Sequence, residues 1–130
     1  MPITQDSGRQ WPLTARVDFG YSDLTSGSDD VALTLPGGAT VIGGELMLDT
    51  AFNSATSDVA TIGDAGSATR YLSSTSIAAT GRTALALSGY TTTAPTDVNV
   101  SWTGVGAVPT AGAGTLTVTY VLAGRSNENG

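Results

Sequence analysis

The 130-residue chain contains no histidine, no cysteine and no lysine; its five basic residues are Arg9, Arg16, Arg70, Arg82 and Arg125. Each absence removes chemistry. Without histidine there is no side chain that titrates near neutrality unperturbed, so Ser-His and Cys-His nucleophiles are excluded. Zinc sites built from cysteine and histidine go too, as do Schiff-base and P-loop lysines. The lack of cysteine rules out a disulfide scaffold and leaves the compartment open. Charge is scarce at 12% and lopsided, with a net charge of −6 and a pI near 4.1. A polyanion needs a basic footprint, so no nucleic-acid partner is expected, whereas an acidic surface suits a basic one. The start "MPITQDSGRQW" has neither the basic n-region nor the apolar h-region of a secretory signal. The longest uncharged run lies between Asp97 and Arg125, but it is crowded with Thr, Gly and Pro and alternates in polarity. It reads as strands, and no membrane partner is expected.

What is present is a globular pattern: 40% hydrophobic residues at low charge density, in a chain long enough for one domain and one core. Alternation of period two runs from end to end. "TLTVTYVL" places Leu116, Val118 and Tyr120 on one face and Thr115, Thr117 and Thr119 on the other. The same alternation puts Val98, Val100 and Trp102 inward, and likewise Leu85 with Leu87, Val31 with Leu33 and Leu35, and Leu13 with Ala15, Val17 and Phe19. In "ATVIGGELMLDTAF", Ile42, Leu46 and Leu48 share a face opposite Glu45, Met47 and Asp49, and Gly43-Gly44 predicts a bulge. "SDVATIG" and "ATRYL" are two shorter strands, although one short helical turn also fits the stretch around the first. Turn clusters separate them at 25–30, 36–38, 63–67 and 94–96. The pattern predicts an all-β, single-domain β-sandwich, jelly-roll-like, of about eight short antiparallel strands, with a small barrel as the alternative. Its divisions are a polar arm at 1–10, the sandwich at 11–123 and a polar tail at 124–130.

Acid–base chemistry without histidine would fall to carboxylates. Asp23, Asp29 and Asp30 lie in "DLTSGSDD", a loop rich in oxygen ligands that nevertheless matches no EF-hand spacing; it reads as a surface turn. Glu45 and Asp49 share a strand face about 13 Å apart, too far for a glycosidase pair without a partner from another strand. The glycines of "TGVGAVPTAGAGT" precede a strand rather than a helix, which removes the nucleotide-binding reading. This stretch is expected to be a long hairpin connection between strands 96–103 and 115–122, open to contact. The sequon Asn99-Val100-Ser101 falls mid-strand and reads as chance. Trp102 and Tyr120 are on core phases, while Trp11, where the arm meets the first strand, suits an interface. In "TIGDAGSATRYL", Asp64, Arg70 and Tyr71 stand close together and read as a structural corner, with Arg70 or Tyr71 available to a neighbouring subunit. No catalytic residue, metal ligand or cofactor site is assigned. Arg9, Trp11, Arg70 and Tyr71 are the candidate partner or subunit contacts.

The segments "LPGGATVIGGELMLDTAFNSATSDVATIGDAGSATRYL", "AATGRTALALSGY", "APTDVNVSWTG" and "GAGTLTVTYVLAGR", in that order over residues 30–125, resemble small virion structural proteins of tailed bacteriophages, including capsid decoration or cement proteins. The resemblance implies a non-enzymatic β-sandwich on the exterior of the head. It would be made in the host cytoplasm without a signal peptide, and would bind the major capsid protein and itself as a homo-oligomer, a trimer before a dimer. It also implies that the terminal arm clamps the lattice. Two other readings stand beside it: a tail-fibre or spike module binding host glycans, and a carboxylate-based hydrolase.

Overall fold

The computed structural model describes residues 11–122; the arm at 1–10, with Arg9, and the tail at 124–130 lie outside the described residues. Eight strands follow one another with no helix among the described residues: β1 (Leu13–Gly20), β2 (Ser28–Leu35), β3 (Ala39–Thr50), β4 (Ser57–Gly63), β5 (Leu72–Ser76), β6 (Gly81–Ala84), β7 (Thr96–Val105) and β8 (Ala113–Leu122). They form two antiparallel sheets of four, in the orders β1-β8-β3-β6 and β2-β7-β4-β5. The pairings are nested: β4 with β5, β3 with β6, β2 with β7 and β1 with β8. The chain is thus a long ribbon folded back on itself at the β4–β5 connection and wound into a sandwich, the jelly-roll-like arrangement that the strand count predicts.

Alternation explains which face each strand buries. Leu46, Leu48, Leu116 and Val118 from one sheet meet Ile62, Val98, Val100 and Trp102 from the other, and each aliphatic side chain so buried stabilises the fold by about 1.5–3 kcal/mol. Phe52 closes one end, its ring 5.4 Å from that of Trp102. Two polar side chains enter this interior and are satisfied there. Asp58, fully buried on the inward phase of β4, accepts the indole N–H of Trp102 and the backbone N–H of Ser54, each at 2.9 Å. Thr92 donates to the Pro36 carbonyl and accepts from the Ala39 N–H, fastening the turn that leads into β3.

Bulges account for most departures from simple alternation. The register of β3 against β8 shifts between Val41 and Gly43, so Val41 is buried and Ile42 turns outward, the reverse of the expected face. A shift in β2 between Val31 and Leu33 leaves Val31 60% exposed instead of inward. β6 ends at Ala84; the Leu85 N–H still reaches the Gly44 carbonyl, next in register on β3, and the Ala86 N–H then crosses to the Tyr71 carbonyl of the other sheet's corner. Leu85 stays buried and Leu87 is exposed. "ATRYL" is not a strand; residues 68–71 belong to the corner, and β5 begins at Leu72. The stretch around Ser57–Gly63 is strand, without the helical turn. Finally, the connection from β7 to β8 closes no hairpin, because the two strands lie in different sheets and the 106–112 segment crosses between them.

Gly44 tests the bulge. It adopts φ +145°, and a Cβ there would lie 2.4 Å from the Thr117 carbonyl oxygen, whereas at Gly43 the nearest atom is 3.9 Å away. Gly44→Ala is expected to lower unfolding stability in urea by about 2 kcal/mol or more, with Gly43→Ala near neutral.

Candidate functional site

The corner joining β4 to β5 is built around one carboxylate. Asp64 is 4% exposed, and its Oδ1 accepts the N–H groups of Gly66 and Ser67, each at 2.9 Å, while Oδ2 accepts Arg70 Nε at 2.7 Å. The Tyr71 N–H donates to the Ile62 carbonyl and closes the corner onto β4. Gly63 lets the loop fold tightly, since a Cβ there would stand 2.2 Å from the Ser67 carbonyl oxygen. Burial pushes the Asp64 carboxyl up, but the hydrogen bond and charge of Arg70 and the N–H groups of Ser67 and Gly66 outweigh it and hold the group below its ordinary value. The Arg70 guanidinium is in turn stacked on Tyr90, 3.6 Å from the ring centroid. Its own proton is held more tightly, chiefly by the hydrogen bond to Asp64 against the opposing effect of burial.

Beside this corner a groove of about 490 Å³ runs along the outer face of the β2-β7-β4-β5 sheet. Asn99 lies between Val31 of β2 and Gly63 of β4, its two register partners. Asp64, Gly66 and Arg70 line the β4 side of the groove, and Asp29 and Val31 the β2 side. Tyr90, Pro95 and Asp97 complete the lining. Asp29 is bonded to the Ser101 hydroxyl, and Asp97 accepts the Thr34 hydroxyl at 2.7 Å. Neither has a cationic partner among the described residues. The Asn99 carboxamide oxygen is buried without a hydrogen-bond partner among the described residues.

The candidate contacts fall in different places. Arg70 lines the groove with 17% of its side chain exposed. Tyr71 is only 3% exposed and its hydroxyl is enclosed, so its ring packs inside the subunit instead of reaching a surface. Burial, with Asp64 adding and Arg70 opposing, pushes the ionisation of that hydroxyl up. Trp11 is 77% exposed at the first described position, and Arg9 lies outside the described residues. Asp29 and Asp30 belong to β2 instead of a loop, and as neighbours on a strand they face opposite ways: Asp29 lines the groove, while Asp30 lines a separate cleft and accepts the Thr25 N–H. They do not converge on one ion. Glu45 is bound to Arg82 Nε at 2.9 Å, a diagonal cross-strand ion pair. The groove does bring carboxylates from separate strands together, as a hydrolase would need. Yet Asp64 is held ionised by three donors, the opposite of what a general acid requires.

No family model matches the chain, and no curated protein matches it. Solved structures do. A chain in the cyanophage Pam1 capsid asymmetric unit superposes with a TM-score of 0.72 at 24% identity, over 94% of this chain and 92% of that one. The fold is shared with chains of phage capsids. The acidic stable capsid structure of Helicobacter pylori bacteriophage KHP30 gives 0.69 at 19% identity, with 88% and 90% covered. The capsid of Ralstonia phage GP4 gives 0.65 at 18%, with 94% and 90% covered.

Tyr90, Asp97, Asn99 and Asp29 were not singled out as a group by sequence reasoning, nor was Asp58. For Asp97, Asn99 and Ser101 the signal was present, since they occupy the phase opposite Val98, Val100 and Trp102 and so must share the outer face. An aspartate in phase with Ala60 and Ile62 likewise marked Asp58 as a buried carboxyl. No local pattern pointed to Tyr90, because its contact with Arg70 joins distant parts of the chain.

The Asp64 corner has a pH signature. A carboxyl whose folded pKa lies below its ordinary 3.8 contributes stability that is fully present well above that value and is lost as pH falls through 3.8 and on through the folded pKa. The urea midpoint is expected to fall on acidification below about pH 5. Asp64→Asn should flatten that acid limb, and Asp64→Ala should cost about 2–4 kcal/mol at neutral pH.

Proposed function

We propose that the protein is a phage capsid decoration protein, binding the outer surface of the head lattice as a homo-oligomer, a trimer before a dimer, and stabilising the shell. The observation that carries this reading is the match over nearly the whole chain to chains of almost equal length in three phage capsids. The chemistry is in keeping with it. The side chains brought together at the corner hold backbone and each other, and the groove beside them offers two carboxylates with no cationic partner among the described residues, which suits binding more than turnover. A net charge of −6 keeps the free subunit soluble before it meets its lattice. Contacts that are individually weak gain avidity when several subunits bind together. Residues 1–10 serve in this reading as a clamp on neighbouring capsid subunits, with Trp11 and Arg70 as further contacts.

Co-sedimentation with purified heads lacking the protein tests the reading. It should bind expanded heads and raise the temperature at which they rupture; failure to bind, with unchanged rupture temperature, would sink it. Removing residues 1–10 should weaken head binding while leaving the unfolding of the sandwich unchanged, and unaltered affinity would remove the clamp from the proposal.

A further inference from the structure

The groove beside the Asp64 corner has an electrostatic arrangement that the corner itself does not use. Three carboxylates, Asp29, Asp64 and Asp97, line it against a single cation, Arg70. Asp64 and Arg70 neutralise one another at 2.7 Å, and Tyr90 covers a face of the guanidinium. Two exposed carboxylates remain, each using one oxygen on a hydroxyl and neither facing a cation among the described residues.

Their placement is regular. Asp29 is in register with Ser101 of β7, and Asp97 lies four residues back on the same strand, which separates them by roughly 13 Å along the groove. Between them lie Asn99, with its unpartnered carboxamide oxygen, and Val31, an apolar side chain 60% exposed on a sheet face. The linear order is acid, then an apolar surface, then acid.

We propose that this groove binds an extended basic segment of a partner protein, seating arginine or lysine side chains four positions apart on Asp29 and Asp97. An extended chain rises roughly 13 Å over four residues, so the two cations meet the two carboxylates without bending the segment. Val31 and Pro95 provide apolar surface for the methylene stems. The occupant is not a second copy of this chain. It has no lysine, and its two closest arginines, Arg9 and Arg16, are seven positions apart. The inference rests on the decoration reading only for the identity of the partner as a capsid protein.

Two measurements separate the groove from that reading. In the first, the isotope-labelled protein is titrated with acetyl-Arg-Ala-Ala-Ala-Arg-amide at low salt, and with the corresponding glutamate peptide as control. The arginine peptide should shift the Val31, Asn99 and Ser101 resonances saturably, and the glutamate peptide should leave them in place. The double variant Asp29→Asn/Asp97→Asn should weaken binding by about tenfold or more. Should that variant lose its native spectrum, Val31→Arg, which places a tethered cation in the groove, is expected to block the peptide equally. Shifts that are scattered, unsaturable or unchanged in a folded variant overturn the proposal. In the second, heads are mixed with wild-type and variant protein across a salt series. Equal binding by both at every salt concentration overturns the groove as the capsid contact. If the wild type fails to bind heads, the decoration reading falls, and the peptide titration still decides whether the groove takes a basic segment.

Discussion

The Asp64 carboxylate sits at the point around which the whole ribbon folds. The β4–β5 pairing is the innermost of four nested pairings, and its connection is the shortest loop that any of them closes. Outer pairings join ever more distant segments, up to Leu13 with Tyr120, and each brings a larger loop-closure entropy if it must form alone. With the corner in place, each outer pairing has only to extend the ribbon by one more strand on each side. A single side chain supplies what this requires, taking two backbone N–H groups that the tight turn leaves without ladder partners and one side-chain donor. Carboxylates suit this role because ionised acceptors make the shorter and stronger hydrogen bonds.

The same interaction makes the corner chemically quiet. A buried carboxylate near an arginine and two tyrosines has the composition of a reactive cluster. Here, though, the carboxylate is kept ionised, the guanidinium is kept charged and stacked, and the Tyr71 hydroxyl is enclosed. Neutralising Arg70 within the corner also leaves the field of the groove to Asp29 and Asp97. A structural ion pair thus sets the sign of the adjacent surface, and fold stability and recognition chemistry are linked through Asp64.

Much of the fold was legible because the sandwich is written in a period of two. Leu13 to Phe19, Val98 to Trp102 and Leu116 to Val118 alternate as they must when one face of a sheet is buried. The faces assigned to Val31 and Ile42 were wrong for one reason: a bulge inserts a residue and inverts parity beyond it. Gly43-Gly44 marked the second bulge, but nothing in "DVALTLP" marked the first. The connection between β7 and β8 was misread as a hairpin because strand order in space is a tertiary property that alternation does not encode. Legibility of the site follows the same division. The Asp64 corner lies within "TIGDAGSATRYL" and could be read as a turn, whereas the groove needs β2, β7, the corner and Tyr90 to be brought together.

The geometry of the groove bears on how tightly one subunit could hold a lattice. Its floor is sheet and its corner is fixed by hydrogen bonds, so little conformational entropy is lost on the protein's side when a segment docks. Asp29 and Asp97, which face no cation among the described residues, are however exposed, and at physiological ionic strength attraction beyond about 8 Å is screened. Ion pairs formed there are expected to be worth no more than surface pairs usually are, until the segment excludes water from Val31 between them. One groove therefore makes a contact that is selective for charge spacing but modest in affinity. Firm attachment then has to come from repetition, through several subunits engaging several copies of the same segment, which a symmetric shell presents at fixed intervals. Within the decoration proposal, an oligomer would supply that repetition.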